Sequence, residues 1–473
     1  MPDLYTRLVA DHLFPLHERM KGHDTVARRE ALELSQWWPA EQLERQRVER
    51  LRRLLEHAAG HVPYFRRIFA EIGFNPATLQ RVSDLARLPF LTKELIRSNL
   101  AELKSADART LKRFNTGGSS GEPLIFFIGS ERVSHDVAAK WRATRWWGVD
   151  IGDPEIVVWG SPIELGTQDR VRLLRDRLLR TRLLPAFEMS ERNLERFVVE
   201  IRARRPRMLF GYPSALAHIA AYAERRGESL SEAGIRVVFV TSERLYDHQR
   251  QQIERAFGCR VANGYGGRDA GFIAHECPDG GMHVSAEDII VEIVDVSGEP
   301  ARPGQPGEIV VTHLATRDFP FVRYRTGDVG SIDPAPCACG RSLPLLKDLH
   351  GRTTDFVVAQ DGTVMHGLAL IYVLRELPGV RQFRIVQESV DLVRVELVAQ
   401  GALDPDLGRA IEQSFRARLG STVEVVVEAV QAIAPDRSGK FRYVVSRVDA
   451  GAFRATRCAA GAARTAPAEV THA

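Results

Sequence analysis

Residues 116–123 have the sequence Thr-Gly-Gly-Ser-Ser-Gly-Glu-Pro and run directly into an apolar segment at 124–128. Three glycines let the backbone turn tightly, and successive backbone N–H groups with the Thr and Ser hydroxyls can bind phosphate oxygens. The segment is not a P-loop of the G-x-x-x-x-G-K-[ST] kind, because no lysine follows. A Gly/Ser loop is also commonly a plain connection between two strands. Both interpretations stay open until the neighbouring sequence is considered.

On the C-terminal side of this loop, short β-rich segments alternate with helical patterns. Residues 156–159 and 237–240 are β-rich, and residues 193–203 have a helical pattern. This alternation is typical of α/β layers around a largely parallel sheet. Residues 289–296 and 308–312 are again β-rich and flank a Pro/Gly-rich tip, which predicts an antiparallel hairpin in a small β subdomain.

The pattern restarts beyond Gly351, over a length that suits a small α+β domain. The predicted elements are strands at 381–386, 393–398 and 423–427, and helices at 368–376 and 407–419. Residues 451–473 have no apolar periodicity, and we expect a flexible tail there. The predicted organisation is an N-terminal domain at 1–351, a C-terminal lid domain at 352–450 and the tail.

Composition excludes several classes of protein. Of the 473 residues, 44% are hydrophobic and 27% charged, which is typical of a folded globular chain. A net charge of +4 is too small for a nucleic-acid-binding protein. No run approaches the roughly 20 apolar residues of a membrane span, and the N-terminus lacks the pattern of a signal peptide. We therefore expect a cytoplasmic enzyme.

Two further motifs carry polar groups on predicted turns. Residues 321–328 read Phe-Val-Arg-Tyr-Arg-Thr-Gly-Asp, and residues 436–442 read Asp-Arg-Ser-Gly-Lys-Phe-Arg. Asp328 has the chemistry to accept two ribose hydroxyls, or it caps its own turn. Lys440 is either a flexible cation for a ligand or an ordinary surface lysine.

Taken in order, these motifs resemble those of the adenylate-forming superfamily. The series continues with Tyr265-Gly-Gly-Arg-Asp269 and Gly351-Arg352. Within the superfamily the chain is most similar to the phenylacetate–CoA ligase branch and its capsular-polysaccharide-biosynthesis relatives, over about residues 50–450. The segments that support this branch are Leu88-Pro-Phe-Leu-Thr-Lys93, Ile273-Ala-His-Glu-Cys277 and Cys337-Ala-Cys-Gly-Arg341.

The resemblance implies an α/β fold with mixed sheets flanked by helices, a small β subdomain and a small mobile α+β C-terminal domain. It implies ATP and Mg²⁺ as requirements, an acyl-adenylate and pyrophosphate as first products, and then a thioester with CoA. An aryl or arylacetic acid is the implied carboxylic acid. An amine, a sugar or a carrier protein stays open as the acceptor. An inactive nucleotide-binding scaffold is disfavoured by Lys440 and Asp328, and homodimer formation is left open.

The same resemblance assigns roles to individual residues. Lys440 and Asp269 are the implied catalytic residues, with Asp269 also contacting Mg²⁺, and Asp355 is the implied hinge. Asp269 stands where relatives usually have Glu. The implied ATP/AMP-binding residues are Thr116, Gly117, Gly118, Ser119, Ser120, Gly121, Ser242, Glu243, Tyr265, Gly266, Asp328 and Arg352.

Four soft donor side chains form two close pairs. Cys277 and His283 are one pair, and Cys337 and Cys339 are the other. Three thiolates and an imidazole suit a tetrahedral structural Zn²⁺. The alternative is that these are unrelated small residues, since Cys is often a buried apolar side chain. His275 is a competing ligand.

An arginine-rich segment also allows more than one interpretation. Residues 170–182 interleave six arginines with leucines. The segment could lie on a membrane or bind the 3′-phosphate of CoA. We favour a solvated helix that packs its leucines on the core.

Overall fold

A computed structural model describes most of the chain. The described residues are 3–116, 124–159, 170–186, 189–295, 297–352, 356–361, 364–366, 370, 373–374, 377, 380–399, 405–433 and 444–448. They divide into two compact units, the larger ending at Leu349 and the smaller beginning at His350.

Helices surround the sheet of the larger unit. In chain order they are α1 (Leu4–Leu8), a π-helical turn (Val9–Leu13), α2 (Phe14–Met20), α3 (Thr25–Ser35), α4 (Ala40–His61), α5 (Pro63–Glu71), α6 (Lys93–Ser98), α7 (Ser130–Trp146), α8 (Arg170–Leu178), α9 (Glu191–Arg204), α10 (Pro213–Arg225) and α11 (Asp247–Phe257). Short 3₁₀ turns occupy Pro76–Thr78, Val82–Arg87 and Ser231–Ala233. Helix α6 begins after Thr92, whose hydroxyl accepts a hydrogen bond from the N–H of Leu95 at 3.3 Å.

The strands of the larger unit form a two-stranded ribbon and one long sheet. The ribbon pairs β1 (Lys112–Asn115) with β2 (Ile125–Ile128). The sheet has the order β10-β11-β12-β13-β9-β8-β7-β6-β5-β3-β4. Its strands are β3 (Glu155–Trp159), β4 (Thr181–Pro185), β5 (Met208–Gly211), β6 (Val237–Thr241), β7 (Arg260–Gly267), β8 (Gly271–Glu276), β9 (Met282–Val284), β10 (Ile289–Val294), β11 (Gly307–His313), β12 (Phe321–Asp333) and β13 (Leu345–Arg352).

The sheet changes direction at β7. Strands β3 to β7 are parallel and are joined through helices, as the alternating pattern predicts. From β7 onward the described pairings are antiparallel, and β10 pairs with β11 as the predicted hairpin. The antiparallel part continues the main sheet through β8 and β9, so the predicted β subdomain extends the parallel layer.

The parallel strands place the adenine-site candidates at one edge of the sheet. Thr241 at the end of β6 pairs with Gly264 in β7, so Ser242 and Tyr265 follow neighbouring positions. Carboxyl ends of parallel strands meet at the same edge, where ligands of α/β proteins commonly bind. Buried apolar side chains below, including Val240, Phe257 and Leu216, fix this edge against α10 and α11.

The described part of the smaller unit contains two sheets and a helix. β14 (Phe356–Val358) pairs with β15 (Val364–His366), and a four-stranded sheet has the order β18-β17-β16-β19. Its elements are β16 (Val380–Ser389), β17 (Leu392–Ala399), α12 (Pro405–Leu419), β18 (Glu424–Ala429) and β19 (Val444–Ser446). The three strands and the helix at 407–419 predicted from sequence are confirmed.

One packing expectation is wrong in part. In the arginine-rich segment, Leu174 and Leu178 of α8 are exposed, while Leu179 packs beside Trp141. Helix α8 therefore directs at least two of its leucines to the surface.

Candidate active site

Tyr265 and Asp328 are joined across the sheet. The Tyr265 hydroxyl donates a hydrogen bond of 2.9 Å to Oδ2 of Asp328, and the N–H of Asp328 donates to Oγ1 of Thr326 at 3.0 Å. Burial, and then the negative charge of Asp328, raises the pKa of Tyr265 well above its ordinary value, so the hydroxyl keeps its proton. The candidate ribose residue and the candidate adenine residue thus form one unit.

Asp269 lies on the turn that follows Tyr265 and is almost completely buried. Its Oδ2 accepts a hydrogen bond of 2.6 Å from the Tyr324 hydroxyl, and its Oδ1 accepts one of 3.1 Å from the N–H of Ala270. Each carboxylate oxygen keeps a second lone pair, which leaves acceptor capacity for a cation. Tyr324 therefore orients this carboxylate. The sequence analysis includes Tyr324 in the 321–328 motif but assigns it no role.

A buried arginine holds the same turn from below. Arg132 of α7 donates from Nη1 and Nη2 to the carbonyl oxygens of Asp269 (3.2 Å) and Arg268 (3.3 Å). Its Nε donates to Oδ2 of Asp136 at 2.9 Å. Hydrogen bonds to charged groups are stronger than neutral ones, and the planar guanidinium fixes their directions. Arg132 is thus a positioning residue for the 268–269 turn.

Two glycines are required where β7 and β8 meet. A Cβ on Gly266 would lie 2.1 Å from the carbonyl oxygen of Gly271. Gly271 has φ +88° and faces His313 and Arg132, so a side chain there would meet both backbone strain and close atoms. At Gly266 and Gly271 the backbones of β7 and β8 therefore lie closer together than residues with a side chain would allow.

Ser242 and Glu243 lie at the end of β6, next to Tyr265. Ser242 has φ +70°, a left-handed conformation that is uncommon for a residue with a side chain. Oε2 of Glu243 accepts a hydrogen bond of 3.2 Å from the N–H of Ser214 in the first turn of α10. The segment is held in a turn that directs its backbone along the sheet edge.

Thr116 closes the base of the glycine-rich loop. Its N–H donates to the carbonyl oxygen of Leu124, and its Oγ1 accepts from the N–H of Leu124, both at 3.0 Å. The loop therefore joins the two strands of the β1–β2 ribbon. Arg268 reaches the neighbouring Asn115 carbonyl at 3.5 Å, which brings the loop base and the Asp269 turn together.

The remaining predicted site residues cannot be placed in the same way. Gly117, Gly118, Ser119, Ser120, Gly121, Lys440 and Asp355 lie outside the described residues. Arg352 is the last residue of β13, and only its backbone is described.

The segment at 88–91 lies beside the Tyr324 strand. The N–H of Leu91 donates to the carbonyl oxygen of Arg323, and the N–H of Arg325 donates to that of Leu91. The buried guanidinium of Arg323 donates to the carbonyl oxygen of Leu88 at 2.6 Å and pairs with Glu292 at 2.9 Å. The Leu-Pro-Phe-Leu-Thr-Lys motif thus supports the strand that carries Tyr324 and Asp328.

The four soft donors of the sequence form one cluster, called here the cysteine cluster: Cys277, His283, Cys337 and Cys339. The Sγ atoms of Cys277 and Cys337 are 3.6 Å apart, and Sγ of Cys339 is 3.2 Å from Nε2 of His283. All four donor atoms lie within 4.8 Å of one another. Tetrahedral Zn²⁺ with bonds of about 2.3 Å separates two sulfurs by about 3.8 Å, so the donor set fits this ion.

Local geometry prepares the cluster for a cation. His283 Nδ1 faces the carbonyl oxygen of Leu343 at 3.4 Å, which leaves Nε2 as the acceptor nitrogen. Burial lowers the pKa of His283 to about 4, so the imidazole is neutral. Burial raises the pKa of the Cys277 thiol to about 12, and a bound cation would favour its thiolate.

Two turns and a helix layer hold the cluster in place. Cys277 begins a turn containing Gly280 (φ +86°), and Cys337 begins one containing Gly340 (φ +79°). A Cβ on Gly281 would lie 2.5 Å from Sγ of Cys337. Arg341 stacks on Trp146, whose ring lies edge-on to His283.

His275 does not belong to this cluster. Its ring stacks on Phe272, with centroids 5.5 Å apart, and burial lowers its pKa to about 3. It is absent from the group of four donors found among the described residues.

Two family models and several known proteins are similar to this chain. The family model described as AMP-binding enzyme matches residues 181–315, and the CapK C-terminal domain matches residues 357–447. The chain is 24% identical to protein CapK of Staphylococcus aureus over 78% of this chain and 81% of CapK. It is 26% identical to the phenylacetate–coenzyme A ligase of Thermus thermophilus over 83% of this chain and 87% of that enzyme.

The two family models and the curated relatives support the adenylate-forming superfamily. Within that superfamily they support the phenylacetate–CoA ligase and CapK branch. A crystal structure of 2-hydroxyisobutyryl-CoA ligase in the postadenylation state shares the fold, with a TM-score of 0.70, 23% identity, and coverage of 90% of this chain and 93% of that one. The predicted family and fold class are confirmed.

Sequence reasoning missed two residues that position this candidate site, Tyr324 and Arg132. Both contact Asp269 from far along the chain: Tyr324 is 55 residues away in the sequence and Arg132 is 137 residues away. Tyr324 stood inside a recognised motif, so the motif itself was a usable signal. Arg132 lies on an ordinary helical pattern, and no feature of the sequence distinguishes it.

Proposed function

We propose that this chain is an ATP-dependent acid–thiol ligase. In the first step a carboxylate oxygen attacks the α-phosphorus of ATP, the bond to the β-phosphate breaks, and acyl-adenylate and pyrophosphate form. In the second step the thiolate of CoA attacks the acyl carbon, the carbon–oxygen bond to phosphate breaks, and AMP leaves. The relatives named as phenylacetate–coenzyme A ligases support CoA as the acceptor and an aryl or arylacetic acid as the substrate.

One observation carries the proposal. The Ser242 turn and Tyr265 lie side by side at the carboxyl edge of the sheet, with Asp328 bonded to Tyr265. This arrangement offers a flat backbone and ring surface for adenine and a carboxylate for the ribose hydroxyls. The residues that would bind phosphates, Thr116 to Gly121, begin beside the same turn through Arg268 and Asn115.

Charge explains the assigned catalytic roles. Both reactants of the first step are anionic, so the transition state needs positive charge near the α-phosphate. We assign that charge to Lys440. Asp269 is the carboxylate that would hold Mg²⁺, which supplies charge neutralisation for the phosphates when bound. Tyr324 and Arg132 hold Asp269 in place.

The two-step reaction motivates a mobile C-terminal domain. We propose that residues 352–450 form the lid, that it turns about Asp355, and that Arg352 binds nucleotide next to this hinge. We also propose a structural Zn²⁺ at the cysteine cluster, whose thiolates and imidazole match its preferred ligands. Within the described residues no helix is long and apolar enough to cross a bilayer. A cytoplasmic location is part of the proposal.

The test is pyrophosphate release from purified protein across a panel of carboxylic acids, with and without CoA. We expect release that depends on an aryl or arylacetic acid, together with a CoA thioester identified by mass spectrometry. Adenylate formation without thioester in the presence of CoA would transfer the proposal to an amine, sugar or carrier-protein acceptor. If folded protein that binds ATP releases no pyrophosphate in response to any of the acids, an inactive nucleotide-binding scaffold would be favoured.

A further inference from the structure

The N-terminal helical segment has apolar side chains on two opposite sides. Its inner side contributes Val9, Ala10 and Phe14 to a buried group with Trp141. Its outer side carries a row that we call the apolar stripe: Leu4, Leu8, Leu16 and Met20, which are between 46% and 85% exposed. Residues four apart lie on one side of a helix, so Leu4 and Leu8 form one pair and Leu16 and Met20 another. Core packing does not explain this second apolar side.

Helix α8 lies beside the stripe and repeats its pattern. The Tyr5 hydroxyl donates to the carbonyl oxygen of Leu178 at 2.9 Å, and Arg180 pairs with Asp3 at 2.7 Å. Leu174 and Leu178, again four residues apart, are 60% and 47% exposed. The exposed leucines of α8 and of the N-terminal segment therefore occupy neighbouring parts of one surface.

The two segments together contain more basic than acidic residues, although Arg175, Arg180 and Arg182 pair with Asp176, Asp3 and Glu200. Residues 170–182 contain six arginines and one aspartate. Residues 3–21 contain two arginines and a lysine against three acidic residues, of which Glu18 is buried. Arg19, Lys21 and Arg177 are exposed next to the leucines. Apolar side chains and an excess of positive charge thus occur together.

We propose that this surface binds the anionic face of a phospholipid bilayer, with the stripe and the α8 leucines inserted between lipid headgroups. Interfacial helices combine inserted apolar side chains with Lys and Arg at the headgroup level, and each basic residue near an anionic surface adds to the attraction. The segment from Leu4 to Met20 is about 25 Å long and lies along the surface of the larger unit, as in-plane binding requires.

Charge also favours a membrane over a second copy of the chain as the binding partner of this surface. A symmetric dimer through this surface would bring the arginine-rich α8 of one protomer to the same surface of the other. Like charges facing each other in an interface are unfavourable. An anionic lipid surface compensates that charge. The proposal does not depend on the ligase reaction.

The test is flotation of the full-length protein with lipid vesicles. One set contains phosphatidylcholine alone, and the other contains phosphatidylcholine with about one-third phosphatidylglycerol. We expect at least tenfold more bound protein on the anionic vesicles at 0.1 M salt, with a large decrease at 0.5 M salt because the surface charges are screened.

Two matched variants separate the stripe from general surface hydrophobicity. Leu4→Gln with Leu8→Gln, Leu16→Gln and Met20→Gln should reduce binding at least tenfold while the melting temperature stays within about 2 °C, since exposed positions contribute little to stability. The control, Ile72→Gln with Val199→Gln, changes exposed apolar residues at the end of α5 and on α9 and should bind like the unmodified protein.

Three outcomes would overturn the proposal. Equal binding to both vesicle types, or unchanged binding by the fourfold variant, would exclude this surface as an anionic-lipid site. A dimer in light scattering that the fourfold variant converts to a monomer, without vesicle binding, would assign the surface to self-association. Each result is independent of pyrophosphate release and so is distinguishable from failure of the ligase proposal.

Discussion

The Tyr324 hydroxyl donates a hydrogen bond of 2.6 Å to Oδ2 of Asp269, joining β12 to the turn after β7. Both side chains are buried, so water replaces neither partner readily. The bond links the motif that carries Asp328 to the motif that carries Tyr265. Two segments that are separate in sequence thus form a single rigid side of the proposed nucleotide site.

Tyr324→Phe tests this link. Removing the hydroxyl takes away the donor to Oδ2 of Asp269, while Oδ1 keeps the Ala270 N–H. We expect adenylate formation to fall at least tenfold, the scale of one hydrogen bond to a charged group. Steady-state pyrophosphate release gives the measurement. Tyr5→Phe also removes a hydroxyl hydrogen bond, an exposed one to the carbonyl oxygen of Leu178, but it is remote from Asp269 and should leave the rate unchanged. Equal rates for both variants would contradict the assigned role.

Asp328→Ala should weaken ATP binding. Loss of hydrogen bonds to the ribose, at about 1.5–3 kcal/mol for each charged bond, predicts at least tenfold lower affinity in calorimetry. The same change leaves the Tyr265 hydroxyl without its acceptor, so Tyr265→Phe is the control for that loss. If Tyr265→Phe alone reproduces the whole effect, Asp328 acts on the ring position and not on ribose.

Lys440→Ala should separate the two half-reactions. We expect adenylate formation to fall about 100-fold or more, the effect of removing one preorganised charge, while ATP binding and folding persist. Synthetic acyl-adenylate supplied to the variant should still give thioester at a near-normal rate. Equal loss of both steps would indicate a structural lysine, and loss of neither a surface one.

Cys337→Ser tests the proposed zinc site. We expect about one zinc per chain in the unmodified protein by elemental analysis, and loss of metal together with a lower melting temperature in the variant, because such sites contribute directly to folding. Cys259→Ser is the matched control, since Cys259 is a free, partly buried cysteine outside the cluster. Metal-free protein prepared without chelators would remove the zinc proposal and leave the ATP site untouched.

Buried His313 predicts how stability depends on pH. Burial, assisted by the nearby charge of Arg132, lowers the pKa of His313 to about 3. Between about pH 6.5 and 3 the unfolded chain binds this proton and the folded chain does not. The free energy of unfolding should therefore decrease as the pH is lowered through that window. The decrease is up to about 1.4 kcal/mol per pH unit for this group.

His313→Gln removes the titrating group, so the slope of unfolding free energy against pH should decrease by up to one proton. Urea unfolding at pH 7 and pH 5 measures it. His12→Gln, at an exposed position, is the control and should keep the original slope. A slope unchanged by His313→Gln would show that His313 is not the residue responsible.

The amino-acid sequence by itself determined the fold class, the family and the chemistry of the candidate residues. Periodicity is local, so the alternating strands and helices and the 289–312 hairpin followed from neighbouring residues alone. The spacing of Cys277, His283, Cys337 and Cys339 was likewise sufficient to predict a four-donor site. The exposure of Leu174 and Leu178 could not be predicted from the sequence. Helical spacing shows that two leucines lie on the same side of a helix, but it does not show whether another element covers that side.

Only the tertiary structure decided how these pieces meet. The pairing of Thr241 with Gly264 placed Ser242 beside Tyr265, and the long strand β12 brought Tyr324 to Asp269. Oδ2 of Asp269 and the Nη1 and Nη2 atoms of Arg132 find their partners on distant segments of the chain. Such contacts depend on strand register and on distances between distant segments, which no local pattern of residues encodes.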